Sequence, residues 1–131
     1  MIIDTSALVA IITDEPDGAA LGNLMASASG LRISAANYLE AALVLDRRDN
    51  PAAGAVLDDV ILDLNITIEP VTAEQARIAR QAWRDYGRGS GHPANLNFGD
   101  CFSYALARTT REPILFKGTD FAQTDLRSAL K

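Results

Sequence analysis

The fold is first indicated by the opening stretch Met1-Ile2-Ile3-Asp4-Thr5-Ser6-Ala7-Leu8-Val9-Ala10, where an apolar pair is followed by three polar residues and a second apolar run. A short apolar run that ends at Asp4 and then turns apolar again predicts a buried strand leading into a helix. Similar alternation continues along the chain. Because alternating strands and helices favour a parallel sheet covered on both faces, we predict an α/β fold, a three-layer αβα sandwich with a central parallel sheet.

The remaining elements are predicted from caps, breakers and β-branched runs. Ser34 and Thr72 precede long helical patterns, and both residue types cap helices. Asn50 and Pro51 break the helix that Ser34 begins. The predicted helices cover residues 15–28, 35–47, 52–63, 72–86 and 98–108, and the predicted strands cover residues 31–33, 66–71 and 113–116.

Size, charge and cysteine content limit the class of protein. The 131 residues, of which 48% are hydrophobic, are expected to form one domain over residues 1–131. Cys101 is the single cysteine, and the opening residues Met1-Ile2-Ile3-Asp4 show no basic n-region or cleavage site, so we expect a cytoplasmic protein. No apolar run reaches the roughly 18 uncharged residues of a membrane span. The net charge of −5 argues against a nucleic-acid partner, unless the acids cluster around a cation.

Two acids follow predicted strands. Asp4 comes directly after the first strand, and Asp120 follows the strand over residues 113–116. In open parallel sheets, ligands bind beyond the carboxyl ends of the strands, so both carboxylates are candidates for a site there. Aspartate before an apolar run is also a favoured helix cap, and each residue taken singly fits either role.

Glu40 is the only charged residue in residues 34–45. This segment is apolar on every side, so we expect its helix to be buried. A buried carboxylate needs a compensating cation. The partner is predicted to be a metal ion, with an ion pair to Arg32 or Arg108 as the alternative.

Asp100 lies near the start of the late helix, in Asn97-Phe98-Gly99-Asp100. Asn97 can cap this helix, with Asp100 as the third residue of a capping box. The apolar helix that follows would hold Asp100 at the rim of the sheet. If the four acids converge there, their oxygen ligands suit Mg²⁺ or Mn²⁺ better than zinc.

Four motifs in order then suggest a family. They are Asp4-Thr5-Ser6, the segment from Ser34 to Glu40, Leu96-Asn97-Phe98-Gly99-Asp100, and Leu115-Phe116-Lys117-Gly118-Thr119-Asp120-Phe121. Together they span nearly the whole chain, which resembles the VapC-type PIN-domain ribonuclease toxins of type II toxin–antitoxin systems. The resemblance implies a Mg²⁺-dependent endoribonuclease, in which Mn²⁺ can substitute, and inhibition by a cognate VapB-like antitoxin. A homodimer is left open.

The resemblance also implies roles for individual residues. Asp4, Glu40, Asp100 and Asp120 correspond to the family's acidic quartet, and Asp125 competes with Asp120 for the fourth place. Asp4 and Asp100 would be the principal metal ligands; Glu40 and Asp120 would bind through water, share a second ion or orient the nucleophile. The residues expected to support these ligands are Thr5, Ser6 and Asn97.

Basic residues are candidates for RNA contacts. Four arginines recur at helical spacing, which predicts that they share one helix face: Arg77, Arg80, Arg84 and Arg88. This face is either a solvated surface or a binding surface for the RNA substrate. Arg84, Arg88 and Lys117 are the candidates for gripping RNA phosphates.

Two other classes of protein compete with a nuclease. A phosphoacceptor receiver domain would use Asp63 on a central strand and Lys117 after a late strand, but it expects adjacent acids after its first strand and gives Glu40 and Asp100 no role. A non-catalytic binding module would use all the acids as caps. Cleavage of RNA that EDTA stops separates the nuclease from both alternatives.

Overall fold

The computed structural model describes residues 1–46 and 51–130. The strands are β1 (Ile2–Ile3), β2 (Arg32–Ser34), β3 (Thr67–Glu69) and β4 (Ile114–Leu115). The helices are α1 (Thr5–Ile12), α2 (Gly18–Ser27), α3 (Ala35–Asp46), α4 (Ala52–Asp63), α5 (Ala73–Tyr86) and α6 (Phe98–Thr110), followed by a 3₁₀ turn over Phe121–Gln123. The predicted end of the third helix at Arg47 and the predicted break at Asn50 lie outside the described residues.

The four strands form one parallel sheet in the order β3-β2-β1-β4. Ile2 is paired with Arg32 on one side and with Ile114 on the other, so β1 lies inside the sheet. The backbone N–H of Asp4 donates to the Leu115 carbonyl at 2.9 Å. The chain therefore leaves β1 and β4 at the same edge of the sheet, where Asp4 and the segment that carries Asp120 were predicted to meet.

Successive residues of the strands divide the core into two layers, as the period of two in a strand requires. Ile3, Ile33 and Leu115 belong to a buried cluster with side chains of α1, α2, α3 and α4. Ile2 and Ile114 belong to a second cluster with side chains of α5 and α6. Helices therefore cover both faces of a central parallel sheet, and the predicted αβα sandwich is confirmed.

The second helix is shorter than predicted. Residues 15–28 were expected to be helical, but α2 begins only at Gly18. The preceding residues form a turn in which Glu15 N donates to the Ala10 carbonyl at 2.9 Å and Gly18 N donates to the Glu15 carbonyl at 2.8 Å. A Cβ at Gly18 would overlap the backbone of Ala10, so the close approach of α2 to α1 requires glycine there.

The predicted burial of α3 is wrong on one side. Ala41 and Leu45 are fully buried against the core, but Leu39, Leu43 and Val44 are 56%, 49% and 36% exposed. Hydrophobicity around the whole helix predicted burial, whereas α3 lies on the flank of the sandwich and only one of its faces reaches the sheet. No helix in the described part of the chain is long and apolar enough to cross a membrane.

Candidate active site

Asp4 lies at the junction of β1 and α1 and is only 3% exposed. Its Oδ2 caps α1 by accepting from Ser6 N at 3.0 Å and from Ser6 Oγ at 2.6 Å, while its Oδ1 lies 2.6 Å from Ser103 Oγ. Burial raises the pKa of Asp4, the hydrogen bonds from Ser103 and Ser6 oppose this, and the charge of Glu40 raises the pKa further. Asp4 is therefore both a helix cap and a candidate ligand.

Asp100 forms the predicted capping box at the start of α6. Its Oδ2 accepts from Asn97 N at 2.9 Å, and its own N–H donates to Asn97 Oδ1 at 2.8 Å. Burial raises the pKa of Asp100 to about 7 against the Asn97 hydrogen bond, and the charges of Asp4, Asp120 and Glu40 raise it as well. Asp4, Asp120 and Glu40 therefore all lie within electrostatic range of Asp100.

Glu40 reaches from α3 toward the starts of α1 and α6. Its Oε1 accepts from Thr5 Oγ1 at 2.5 Å, with Asn37 Nδ2 at 3.5 Å. The carboxylate also lies against Gly99, where a Cβ would overlap it. Glycine at this position therefore allows Glu40 and the residue next to Asp100 to approach each other.

None of the ion pairs within residues 1–46 and 51–130 involves Asp4, Glu40, Asp100 or Asp120. The two arginines considered as partners of Glu40 are engaged elsewhere: Arg32 pairs with Glu112 and Glu69, and Arg108 pairs with Asp125. Within the described part of the chain, the carboxylates therefore repel one another with no ion-paired cation to offset them.

The geometry favours Asp120 over Asp125 as the fourth acid. Asp120 is exposed at the start of the 3₁₀ turn and makes no capping hydrogen bond, while its charge acts on Asp100. Asp125 instead accepts from Tyr104 Oη at 2.8 Å and pairs with Arg108 at 3.2 Å. Asp125 is thus committed to other partners.

The predicted basic residues are arranged differently from the expectation. Lys117 Nζ pairs with Glu15 Oε2 at 2.8 Å, so its ammonium group is engaged. Helix α5 ends at Tyr86, so Arg88 lies beyond it and the predicted row of four arginines on one helix face is wrong. The receiver-domain alternative also fails, because Asp63 is the last residue of α4 and follows no strand.

The donor set fits a hard divalent cation by its chemistry, although the carboxylates are not arranged as a finished cluster. No group of three or more His, Cys, Asp and Glu side chains in the described parts of the chain forms a ready metal cluster. Asp4, Glu40 and Asp100 each accept hydrogen bonds from a neighbouring hydroxyl or amide. Oxygen donors that repel one another and have no protein cation are the donor set that Mg²⁺ or Mn²⁺ binds.

Sequence reasoning missed two buried residues of the site, Asn37 and Ser103. Both are fully buried. Ser103 Oγ lies 2.9 Å from Asn37 Oδ1 as well as 2.6 Å from Asp4 Oδ1. Their signal in the sequence was helical spacing, because Asn37 stands three residues before Glu40 and Ser103 three residues after Asp100, which places each on the same face as its acid.

Comparison with known proteins identifies the family. Residues 1–126 match the family model described as PIN domain. This chain belongs to the PIN-domain family. It is 54% identical over 130 residues to ribonuclease VapC28 of Mycobacterium tuberculosis, which covers 99% of this chain and 98% of that protein. The resemblance to VapC-type PIN-domain ribonucleases inferred from the four motifs is therefore confirmed.

Solved PIN-domain structures agree with the fold. VapC20 of Mycobacterium tuberculosis, a sarcin–ricin loop cleaving toxin, matches with a TM-score of 0.74 and 22% identity over 95% of each chain. A chain of a toxin–antitoxin complex from Klebsiella pneumoniae matches with a TM-score of 0.67 and 17% identity, covering 92% of this chain and 89% of that one. Membership makes the chain a VapC-type endoribonuclease, and nucleases of this PIN-domain group generally depend on a divalent metal.

Proposed function

We propose that this endoribonuclease hydrolyses RNA phosphodiester bonds with Mg²⁺, for which Mn²⁺ can substitute, and that it is the toxin of a toxin–antitoxin pair. Asp4 and Asp100 are the principal ligands, and Glu40 and Asp120 complete the site. The observation that carries the proposal is the convergence of acids around Asp100: burial first, and then the charges of Asp4, Asp120 and Glu40, raise its pKa to about 7, and no ion pair within residues 1–46 and 51–130 involves any of the four.

In the proposed hydrolysis, the acids and the residues that hold them have separate roles. A bound divalent ion supplies an acidified water and neutralises the oxygens of the attacked phosphate. Ser6 fixes one oxygen of Asp4, and Asn97 fixes one oxygen of Asp100. The second oxygen of Asp100 is left to face a cation, whereas the second oxygen of Asp4 also accepts from Ser103 Oγ at 2.6 Å. Glu40, oriented by Thr5, is placed to orient the attacking water.

The experiment that tests the metal mechanism uses purified protein freed of any partner. Cleavage of RNA is expected with Mg²⁺ or Mn²⁺ and not in excess EDTA, and Asp4→Asn should abolish it while the fold is retained. The matched control is Asp58→Asn, because Asp58 is exposed on α4, a helix that holds none of the four acids. Full activity in EDTA would refute the metal mechanism. Absence of cleavage under every condition would support a binding module.

We propose an inhibitory partner of the VapB antitoxin type, whose basic segment inserts an Arg or Lys among the carboxylates. The net charge of −5, and the absence of any ion pair to the four acids among the described residues, favour a basic partner at this edge. Co-expression with the neighbouring reading frame should yield an inactive complex. Inhibition that survives neutralisation of that segment's basic residues would contradict the contact. We place the protein in the cytoplasm, because its proposed RNA substrate is found there.

The apolar flank of α3 supports a homodimer. Leu39, Leu43 and Val44 line a groove of about 380 Å³ that Phe98 closes on the side of α6, and Phe98 is 77% exposed. Contiguous exposed apolar surface of this kind marks an interaction site. A second copy that presents the same face would bury it symmetrically. Leu43→Glu should convert the protein to a monomer in light-scattering measurements, and an unchanged mass would place the interface elsewhere.

Three basic residues remain candidates for contacts with RNA phosphates. Arg84 and Arg88 are exposed at and beyond the end of α5. Lys117 stays a candidate as well, although it would have to leave its surface ion pair with Glu15 to bind a phosphate.

A further inference from the structure

Asn37 and Ser103 form a hydrogen-bonded pair beneath the carboxylates. Each is fully buried, although asparagine and serine are usually exposed. Asn37 lies on α3 and Ser103 on α6, so the contact between Ser103 Oγ and Asn37 Oδ1 at 2.9 Å joins two helices 66 residues apart in the chain. Buried polar groups of this kind are retained only when their hydrogen bonds are made.

The pair touches three of the segments that carry the acids. Asn37 Nδ2 donates to the Gly99 carbonyl at 2.9 Å, next to Asp100, and lies 3.5 Å from Glu40 Oε1. Ser103 Oγ lies 2.6 Å from Asp4 Oδ1. The starts of α1 and α6 and the middle of α3 are therefore tied together through two side chains.

The hydrogen-bond donors of Asn37 and Ser103 show how the pair connects its neighbours. The Gly99 carbonyl fixes the Asn37 amide with Nδ2 toward it, so Oδ1 faces Ser103. A serine hydroxyl has one proton, yet Ser103 faces two acceptors, Asp4 Oδ1 and Asn37 Oδ1. The hydroxyl can donate to only one of the two at a time, and in either case Ser103 lies between Asp4 and Asn37 and links them.

We propose that Asn37 and Ser103 are positioning residues that hold Asp4, Glu40 and the start of α6 at the spacing that a divalent cation needs. The inference rests on the proposed metal-dependent function. Like charges at this edge push the carboxylates apart, and the buried pair opposes that displacement because it cannot exchange its partners for water. The pair acts through the ligands and does not touch the reacting phosphate.

Metal binding, measured without RNA, tests the proposal. Calorimetric titration of Mn²⁺ into Ser103→Ala should give affinity about 10–100-fold weaker than the parent, the usual effect of removing a partner of a ligand. Ser103→Thr retains the hydroxyl and should bind close to the parent. Thr109→Val is the matched control, because Thr109 also lies on α6 but donates to the helix's own carbonyls of Ala105 and Leu106.

The outcomes distinguish positioning from packing. Asn37→Ala removes the same contact from α3 and should weaken Mn²⁺ binding similarly, so the affinity remains measurable if one of the two variants fails to fold. Parental Mn²⁺ affinity in Ser103→Ala or Asn37→Ala, with only a lower melting temperature, would overturn the inference. Loss of binding in Asp4→Asn alone would leave the proposed metal function intact, whereas parental binding in Asp4→Asn would refute that function itself.

Discussion

Replacing Asp100 with Asn separates the capping that the structure shows from the metal binding that we propose for this residue. Asparagine can still accept the hydrogen bond from Asn97 N, so the cap at the start of α6 is largely kept. The negative charge is lost, and with it the repulsion from Asp4, Asp120 and Glu40. We therefore expect Asp100→Asn to melt at or above the parent at pH 8 in EDTA.

The size of the effect follows from the pKa of Asp100. Its rise from 3.8 to about 7 means that the folded state binds this proton more tightly than the unfolded chain does. The associated stability is fully present below about pH 4 and is lost as the pH rises through about 7. At 1.36 kcal/mol per pKa unit the limit is about 4 kcal/mol, and screening by water at this half-buried group reduces it to about 1–2 kcal/mol.

Thermal scans at pH 5 and pH 8 in EDTA measure this loss. The parent should melt several degrees lower at pH 8, since each kcal/mol corresponds to roughly 3–6 °C for a domain of this size. Asp100→Asn should show a smaller difference between the two pH values. Millimolar Mg²⁺ at pH 8 should raise the free energy of unfolding of the parent by up to about 2.7 kcal/mol at a hundredfold excess over Kd. The variant should lose most of that gain.

One pattern would refute the reasoning. If Asp100→Asn melts well below the parent in EDTA at pH 8 and keeps the full Mg²⁺ shift, Asp100 is a cap only and the metal binds elsewhere. The control is Asp58→Asn on the exposed side of α4, which should keep both the pH difference and the Mg²⁺ shift of the parent.

Four further substitutions test single contacts of the site. Gly99→Ala should reduce kcat at least tenfold, because the new Cβ displaces the carboxylate of Glu40. Stability should fall little, since only the flexible end of that side chain has to move. A parental kcat would mean that activity does not require the Glu40 carboxylate beside Gly99. Thr5→Val should lower kcat about tenfold by releasing Glu40, and a change confined to KM for RNA would contradict that role. Asp120→Asn should weaken Mg²⁺-dependent cleavage, because the charge of Asp120 acts on Asp100. Asp125→Asn should leave cleavage unchanged, because Asp125 is hydrogen-bonded to Tyr104. The reverse result would make Asp125 the fourth acid of the site.

The order of strands and helices was predictable because it rests on local signals. The apolar pair Ile2 and Ile3 is followed by an Asp, and Asn97 precedes an apolar helix. The end of a strand and the start of a helix can therefore be recognised from a few adjacent residues. The acids at these junctions could be predicted for the same reason. Parallel pairing of the strands then brings the junctions to one edge of the sheet.

Features that depend on distant contacts could not be predicted in this way. The ion pair between Lys117 and Glu15, which stand 102 residues apart, has no signal in the sequence near either residue. The exposure of one flank of α3 could not be predicted either. An apolar helix face has the same composition whether it packs against the protein's own core or remains available to another surface. The contact between Asn37 and Ser103 likewise exists only once α3 and α6 are packed together.

The sequence left Asp4 and Asp100 divided between capping and metal binding; the structure shows both as caps, and capping is compatible with the proposed metal binding. A carboxylate whose pKa is raised by burial needs donors that hold it in place, and the free N–H groups at a helix start supply them. Each cap uses one oxygen, Oδ2 of Asp4 and Oδ2 of Asp100. An Ala substitution would therefore remove cap and charge together, whereas Asn keeps the acceptor and removes the charge. Only Asp→Asn variants can assign a loss of activity at these positions to the metal site.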